Sequence, residues 1–145
     1  MEAAKYTASV HPHPLVFVWS LDGTWQYQNY AIGGTWNTTS SAAWPSPIQL
    51  AVCEGAKTGV KVGSCGQWKD TGSLVTGQVV RYKYGVTVRV VAARTGKTLS
   101  SKTFYGSTIS CNGDWHTDDA SPPWRIYGGD PNEDTISNYE ASLSK

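Results

Sequence analysis

The sequence has little net charge and none of the short motifs that mark common enzymes. Its formal charge is +1, which gives no general attraction to nucleic acid. No CxxC pair is present, which argues against a zinc knuckle, and no GxSxG turn presents a nucleophilic serine. Gly96-Lys97-Thr98 matches the last three residues of a phosphate-binding loop. The upstream glycine of that motif is missing, so we do not predict a phosphate site here. We therefore favour a protein that is not an enzyme and that has no cofactor and no nucleic-acid partner.

Histidine is also scarce, and the three histidines are His11, His13 and His116. A metal site or acid–base pair would have to combine them with Asp114 or Asp118, and nothing in the local sequence brings these segments together. The aspartate spacing does not match an EF-hand, which needs its own glycine and terminal glutamate. We predict no metal site, and a hydrolase or metalloprotein built on His116 stays a third alternative.

No long apolar run is present. The stretch from Pro14 to Leu21 is too short to cross a bilayer, so we predict no membrane insertion. A chain of 145 residues is typical of one domain with one core. The prolines among the first residues favour extended backbone. We therefore expect an extended N-terminal segment over residues 1–14 and a single β-rich domain over residues 15–145.

The clearest pattern lies between Gln78 and Tyr105. Apolar and polar residues alternate from Val80 to Ala92, which predicts a strand with one buried and one exposed face. The turn residues before Gly96 suit a hairpin closure, with that glycine in the left-handed region. The following residues return as the partner strand. This hairpin is the central element of the predicted fold.

The remaining segments favour an all-β fold, an antiparallel sandwich or partly open barrel that ends in a short C-terminal helix. We predict a buried strand at 15–19 and a second hairpin between Ile48–Glu54 and Val60–Trp68. A long loop covers 24–47, with one short strand possible at 24–30, and a second loop covers 106–129. The helix is predicted from Asp130 as N-cap and from the spacing of Ile136, Tyr139 and Leu143.

What the sequence has in excess is tryptophan and tyrosine, with seven and eight residues against two phenylalanines. Both side chains have polar tips and favour half-buried or binding surfaces. They are concentrated in the predicted long loop, where the candidate ligand-binding residues are Trp25, Tyr27, Trp36 and Trp44. These rings would stack on sugars or anchor a protein partner, or else pack over the sheet.

The three cysteines, Cys53, Cys65 and Cys111, are the disulfide candidates. A bridge between Cys53 and Cys65 would be possible across the predicted second hairpin. An odd count leaves one thiol over or pairs it with another chain.

The cysteines also belong to an ordered series of motifs between Ile48 and Cys111. In chain order the motifs are Cys53-Glu54, Cys65, Val80-Arg81-Tyr82, Arg94-Thr95-Gly96-Lys97, Phe104-Tyr105-Gly106 and Cys111. The series resembles a poorly characterised bacterial domain, whose members occur in extracytoplasmic or membrane-linked multidomain proteins. One departure is Asn112, where many members have proline after the last cysteine. The resemblance implies a fold, an extracellular or cell-surface setting and a structural role for the cysteines, but no catalytic residues.

These observations lead to two functional hypotheses. The first is a non-enzymatic interaction or structural module of a bacterial surface or extracellular protein, with a protein partner or with further copies of itself. The second is a carbohydrate-binding module that uses the tryptophan-rich loop, with a glycan as its ligand. The exposure of the aromatic rings distinguishes them, because a sugar site needs a groove and a protein contact a flat patch.

Overall fold

The structure is a computed structural model that describes residues 5–8, 13–21, 24–32, 34–38, 48–72, 74–112 and 114–145. The predicted all-β class with a short C-terminal helix is confirmed. The strands form a mixed sheet. β1 pairs with β4 and β6 pairs with β8 in parallel. The pairs β1–β2, β2–β3, β4–β6 and β5–β6 are antiparallel. The elements are β1 (Leu15–Leu21), β2 (Thr24–Ile32), β3 (Thr35–Thr38), β4 (Leu50–Glu54), β5 (Thr58–Lys69), β6 (Thr76–Ala92), β7 (Thr98–Tyr105), β8 (Trp124–Tyr127) and α1 (Glu133–Ser142).

The predicted central hairpin is confirmed as β6 and β7. Gly96 has a φ of 68°, in the left-handed region that glycine enters without steric cost. Three backbone hydrogen bonds close the turn: the N–H of Ala92 donates to the carbonyl of Lys97, and the N–H groups of Thr95 and Gly96 donate to the carbonyl of Ala92. Local turn chemistry therefore fixed this part of the fold.

The contacts within the chain divide it into two compact units, and β6 contributes to both. The first unit consists of Met1–Ala56, Val86–Phe104 and Glu133–Lys145. In it the strands follow the order β3, β2, β1, β4 and then the second part of β6. Helix α1 contributes to the same core through Ile136, with Tyr139 and Leu143 packed against it as their spacing predicted. The buried core residues are Leu15, Leu50, Val52, Val86, Val88, Val90, Phe104 and Ile136.

The prediction of a long loop over 24–47 is wrong for its first part, although the short strand proposed at 24–30 is present. β2 and β3 form an antiparallel pair in which Ile32 is opposite Thr35. The intervening Gly33-Gly34 is a sequence signal for a tight hairpin, and Gly34 has a φ of 84°. The two glycines therefore indicated a hairpin, but the many polar and small residues around them favoured the prediction of a loop.

The end of the chain is held in the first unit by Ser144, which is fully buried. Its carbonyl accepts a hydrogen bond from the N–H of His13 at 3.0 Å. Its hydroxyl accepts one from the N–H of Gly34 at 2.6 Å and donates to the carbonyl of Ala141. His13 is also buried and is 2.9 Å from the side-chain oxygen of Gln49. The predicted extended segment is therefore attached to the unit at His13.

One acidic side chain is buried in this unit. Glu140 of α1 is only 4% exposed, and its Oε1 has no hydrogen-bond partner among the described residues. Burial, together with the negative charge of Glu54, raises the pKa of Glu140 to about 8. Burial and the neighbouring Glu133 also raise the pKa of Glu54. The folded state therefore favours a protonated Glu140 at neutral pH.

The second unit consists of Lys57–Gly85 and Tyr105–Asn132. It contains β5, the first part of β6 and β8, a strand that lies inside the predicted loop over 106–129. Its buried core is small and consists of Val79, Trp124 and Ile126. Since few apolar side chains are buried here, the disulfide described below becomes an important contribution to its stability.

The predicted hairpin between Ile48–Glu54 and Val60–Trp68 is wrong. Both β4 and β5 are antiparallel to β6, with Leu50 opposite Ala92 and Lys69 opposite Thr76. The chain therefore continues along the same partner instead of turning back at the glycines between β4 and β5. The actual hairpin joins β5 to β6. The pairing of both strands with the long strand β6 therefore overrides the local turn signal.

Among the described residues, no helix combines the length and apolar character needed to cross a membrane.

Candidate functional site

The ligand-binding residues predicted from the sequence fall on β2 and β3 or outside the described residues. Trp25 and Tyr27 belong to β2 and Trp36 to β3, but the description covers only their backbone. Trp44 lies outside the described residues. The binding role of these four residues therefore stays a prediction.

The second unit contains a groove of about 350 Å³ with tryptophan in its wall. We call it the tryptophan groove. Aromatic side chains form one part of the lining, and charged or hydroxyl side chains form the rest. The lining residues are Trp68, Trp115 and Trp124 with Lys69, Asp70, Thr71, Thr117, Asp119 and Ala120.

Trp68 is the accessible ring of this groove, with 38% of its surface exposed. It lies near the end of β5, and its indole N–H donates to the carbonyl of Cys65 at 3.2 Å. Trp115 meets it edge to face, with ring centroids 5.6 Å apart and planes at 83°. Trp124 is almost fully buried in the core. The accessible ring is therefore held by a hydrogen bond and an aromatic contact.

The disulfide joins Cys65 of β5 to Cys111, and Cys53 is the free cysteine. The bridge that was possible between Cys53 and Cys65 is not formed. The bond connects the strand that carries Trp68 to the segment that leads into Trp115. Cys65 also packs against the small core. The two rings of the groove are therefore linked covalently through their backbones, which limits their movement relative to each other.

An ion pair orders the loop at the edge of this groove. Asp119 accepts hydrogen bonds from the backbone N–H of Arg125 at 2.6 Å and from its guanidinium at 2.5 and 3.1 Å. The hydroxyl of Thr117 donates to the same carboxylate. The hydrogen bonds from Arg125 are the main reason that the pKa of Asp119 falls to about 2. The carboxylate is thus a fixed anion and its loop has a defined conformation.

A second groove of about 560 Å³ lies in the same unit and contains tyrosine. We call it the tyrosine groove. Its lining combines two tyrosines with two basic residues, a histidine and two aspartates. The lining residues are Lys57, Gly59, Tyr84, His116, Thr117, Asp118, Asp119, Arg125 and Tyr127.

Three tyrosines stack beside this groove. Tyr127 of β8 lies 5.3 Å from Tyr82 and 4.8 Å from Tyr84, both measured between ring centroids. The ammonium of Lys57 lies 4.4 Å from the centroid of Tyr84 and 2.7 Å from Asp130. The hydrogen bond to Asp130 is the main cause of the raised pKa of Lys57. The charged ammonium of Lys57 therefore lies against one end of the tyrosine stack.

Gly59 explains how Tyr127 reaches its position. A Cβ at Gly59 would lie 2.8 Å from Cε1 of Tyr127, which is closer than such atoms approach. The absence of a side chain on β5 therefore lets the ring lie across this strand. The sequence shows this glycine, but only the pairing of β5 with β6 reveals which ring it accommodates.

The grooves can recognise a ligand by stacking and hydrogen bonding, and the described residues provide no metal centre. Within these ranges, no three His, Cys, Asp or Glu side chains are placed to hold a metal ion. Of the residues in the hydrolase alternative, His116 and Asp118 do line the tyrosine groove. The structure therefore brings two of the predicted residues together without a third ligand.

Sequence reasoning missed Trp68, Trp115 and Trp124 as neighbours because they are distant in sequence. One sequence feature pointed to this region. Trp115 and Trp124 enclose a segment with Asp118 and Asp119, and aromatic and acidic side chains together are typical of a polar binding site. The disulfide and the parallel pairing of β8 with β6 bring them together. Comparison of the chain with protein-family models, with curated proteins and with solved structures found no match.

Proposed function

We propose that the chain is a non-catalytic carbohydrate-binding module and that the tryptophan groove receives the sugar. The observation that carries this proposal is the exposed ring of Trp68 in a concave groove with hydroxyl and charged side chains around it. A sugar ring has apolar C–H faces and hydroxyl groups at its rim. Stacking on an aromatic ring and hydrogen bonding to nearby polar groups together match both features.

The organisation of the groove favours binding over simple covering of the core. Trp124 belongs to the buried cluster with Val79 and Ile126, and Trp115 packs against this cluster. These two rings therefore already cover the core. Trp68 remains accessible although it is held by a hydrogen bond and by the edge of Trp115. An ordered accessible ring loses little conformational entropy when a ligand binds, which improves affinity.

The disulfide supports an extracellular or cell-surface location for this activity. Disulfides persist in oxidising compartments and are rare in the reducing cytosol. The same setting follows from the resemblance to bacterial extracytoplasmic domains. In this proposal the module attaches its protein to a glycan outside the cell.

The experiment is a binding screen with cello-, xylo-, chito- and malto-oligosaccharides, followed by calorimetry on those that bind. We expect Trp68→Ala to weaken binding at least tenfold, about 1.4 kcal/mol, because the stacking surface is lost. Tyr105→Ala is the matched control, since Tyr105 is an exposed aromatic residue that lines neither groove. Circular dichroism checks that both variants fold. The absence of binding to any of these sugars, or unchanged affinity in Trp68→Ala, would contradict the proposal.

The second candidate is the protein-interaction or self-assembling module predicted from the sequence. It is favoured by β7, where all side chains except Phe104 are exposed. A strand with exposed side chains at the edge of a sheet can pair with a strand of another chain. Light scattering over a range of protein concentrations tests this candidate. A growing molar mass would support self-assembly, whereas a constant monomer mass would contradict it.

A further inference from the structure

Two features of the second unit go beyond a site for a single sugar. The tryptophan and tyrosine grooves share Thr117 and Asp119 in their linings. The two grooves are therefore adjacent and meet at these two residues. The shared residues belong to the loop that Arg125 orders through Asp119, so the boundary at which the grooves meet is ordered.

The size of the grooves indicates a ligand longer than one sugar ring. Their volumes are about 350 and 560 Å³. Proteins bind drug-sized molecules in pockets of about 300–1,000 Å³. Each groove therefore has room for more than one ring, and both together fit a chain.

The charges of the two linings balance. The basic residues are Lys57, Lys69 and Arg125, and the acidic residues are Asp70, Asp118 and Asp119, which gives three charges of each sign. Arg125 and Asp119 also neutralise each other directly. An acidic or basic ligand would gain no net attraction from such a surface, whereas hydroxyl groups can donate to the acids and accept from the bases.

We infer that the ligand is an uncharged oligosaccharide of several sugar units that runs from the tryptophan groove into the tyrosine groove. This inference depends on the proposed sugar-binding function. Trp68 provides the stacking surface for one part of the chain. His116 and Asp118, which are exposed in the tyrosine groove, provide hydrogen bonds for the other part. The ligand class is therefore a neutral polysaccharide strand rather than a terminal monosaccharide.

The test is calorimetry on a length series, from disaccharide to hexasaccharide, of the oligosaccharide that binds best. We expect affinity to rise at least tenfold with length, because the longer chains reach the tyrosine groove. The double variant His116→Ala/Asp118→Ala should reduce this gain to less than threefold. Asp114→Ala is the matched control, since Asp114 is exposed in the same segment and lines neither groove, and it should retain the full gain.

The outcomes separate this inference from the proposed function. Equal affinity at all lengths, with Trp68→Ala still impaired, would overturn the inference and leave sugar binding intact. A full length gain in the double variant would also overturn it. Tighter binding of a uronic-acid oligosaccharide than of its neutral counterpart would contradict the uncharged class. No binding at any length would overturn the proposed function itself.

Discussion

The two compact units of this chain are stabilised in different ways. The first has a core of eight buried side chains from four strands and the C-terminal helix. The second has a core cluster of three buried residues and a disulfide that spans 46 residues of sequence. A covalent link reduces the number of apolar side chains that must be buried for stability. The second unit can therefore leave aromatic rings accessible in its grooves.

Strand β6 shows this difference within one element. From Val86 to Ala92 the buried residues alternate with more exposed ones, as expected for a sheet with one covered face. In the first part, Val79 and Val80 are both buried although they point to opposite faces. Here Val79 packs with Trp124 and Ile126 of the neighbouring strand β8, and Cys65 and Trp115 pack against the same cluster. A break in the periodicity of a strand therefore marks a place where both faces of the sheet are covered.

The units also differ in the pH dependence of their stability. Glu140 has a folded pKa of about 8, above its ordinary value of 4.5. Its contribution to the free energy of unfolding is present below pH 4.5 and is lost as the pH rises to about 8. The reason is that the unfolded state releases this proton first. Asp119 has a folded pKa of about 2, below its ordinary 3.8. Its contribution to the free energy of unfolding is fully present above pH 3.8 and is lost as the pH falls from there to about 2.

The largest expected effect comes from Glu140→Gln, which removes the buried acid of the first unit. We expect the variant to match the natural protein near pH ~4 and to be more stable above pH ~8, by up to about 5 kcal/mol. Urea unfolding over this pH range measures the difference. Asp134→Asn is the control, and as an exposed residue of the same helix it should change stability by less than about 0.5 kcal/mol. A constant effect of Glu140→Gln at every pH would contradict the buried, protonated acid.

The second prediction concerns the disulfide of the second unit. Cys65→Ser/Cys111→Ser should lower the free energy of unfolding by about 4 kcal/mol, the loop-closure value for this sequence separation. Cys53→Ser is the control, and it should cost less than about 1 kcal/mol because Cys53 is free and only half-buried. Denaturant unfolding with and without reductant provides the measurement. If the double variant were as stable as Cys53→Ser, the second unit would not depend on its disulfide.

The third prediction compares the same substitution in the two units. Leu15 of the first unit is fully buried, whereas Leu74 of the second is 68% exposed. Leu15→Ala should destabilise the protein by about 3 kcal/mol through lost burial and a cavity. Leu74→Ala should change stability by less than about 0.5 kcal/mol. Thermal unfolding of both variants tests this, and equal losses would show that exposure does not distinguish the two sites.

The smallest effect is expected for Leu74→Gly in the turn between β5 and β6. Leu74 has a φ of 59°, a conformation that costs a side-chain-bearing residue about 1 kcal/mol and glycine very little. The substitution should therefore raise the free energy of unfolding by up to about 1 kcal/mol, despite the greater freedom of glycine in the unfolded chain. A loss of stability in urea unfolding would show that the side chain contributes more than the backbone strain costs.

The features that could be predicted from the sequence are those set by local chemistry. The β6–β7 hairpin follows from alternation and from Gly96, and α1 follows from the spacing of Ile136 and Tyr139. The helix starts at Glu133 rather than directly after the predicted cap Asp130. Such boundaries depend on backbone details that residue types alone do not fix.

The features that could not be predicted depend on contacts between distant segments. The partner of Cys65 is 46 residues away, and spacing alone does not determine disulfide pairing. β5 pairs with β6 rather than β4, and the turn residues between β4 and β5 do not indicate this partner. The tryptophan groove requires both facts, since its rings come from β5 and from the segment after Cys111. The sequence therefore indicated that aromatic rings matter, and only the tertiary structure identified the rings that line the two grooves.

The central claim is that the accessible rings of the second unit bind the sugar. The most direct measurement is nuclear magnetic resonance of the seven tryptophan indole N–H signals, assigned by single Trp→Phe variants, during titration with the best-binding oligosaccharide. We predict that the signals of Trp68 and Trp115 shift with saturation while those of Trp25, Trp36 and Trp44 stay in place. Shifts confined to the latter three would contradict this account and support the ligand-binding residues predicted from the sequence.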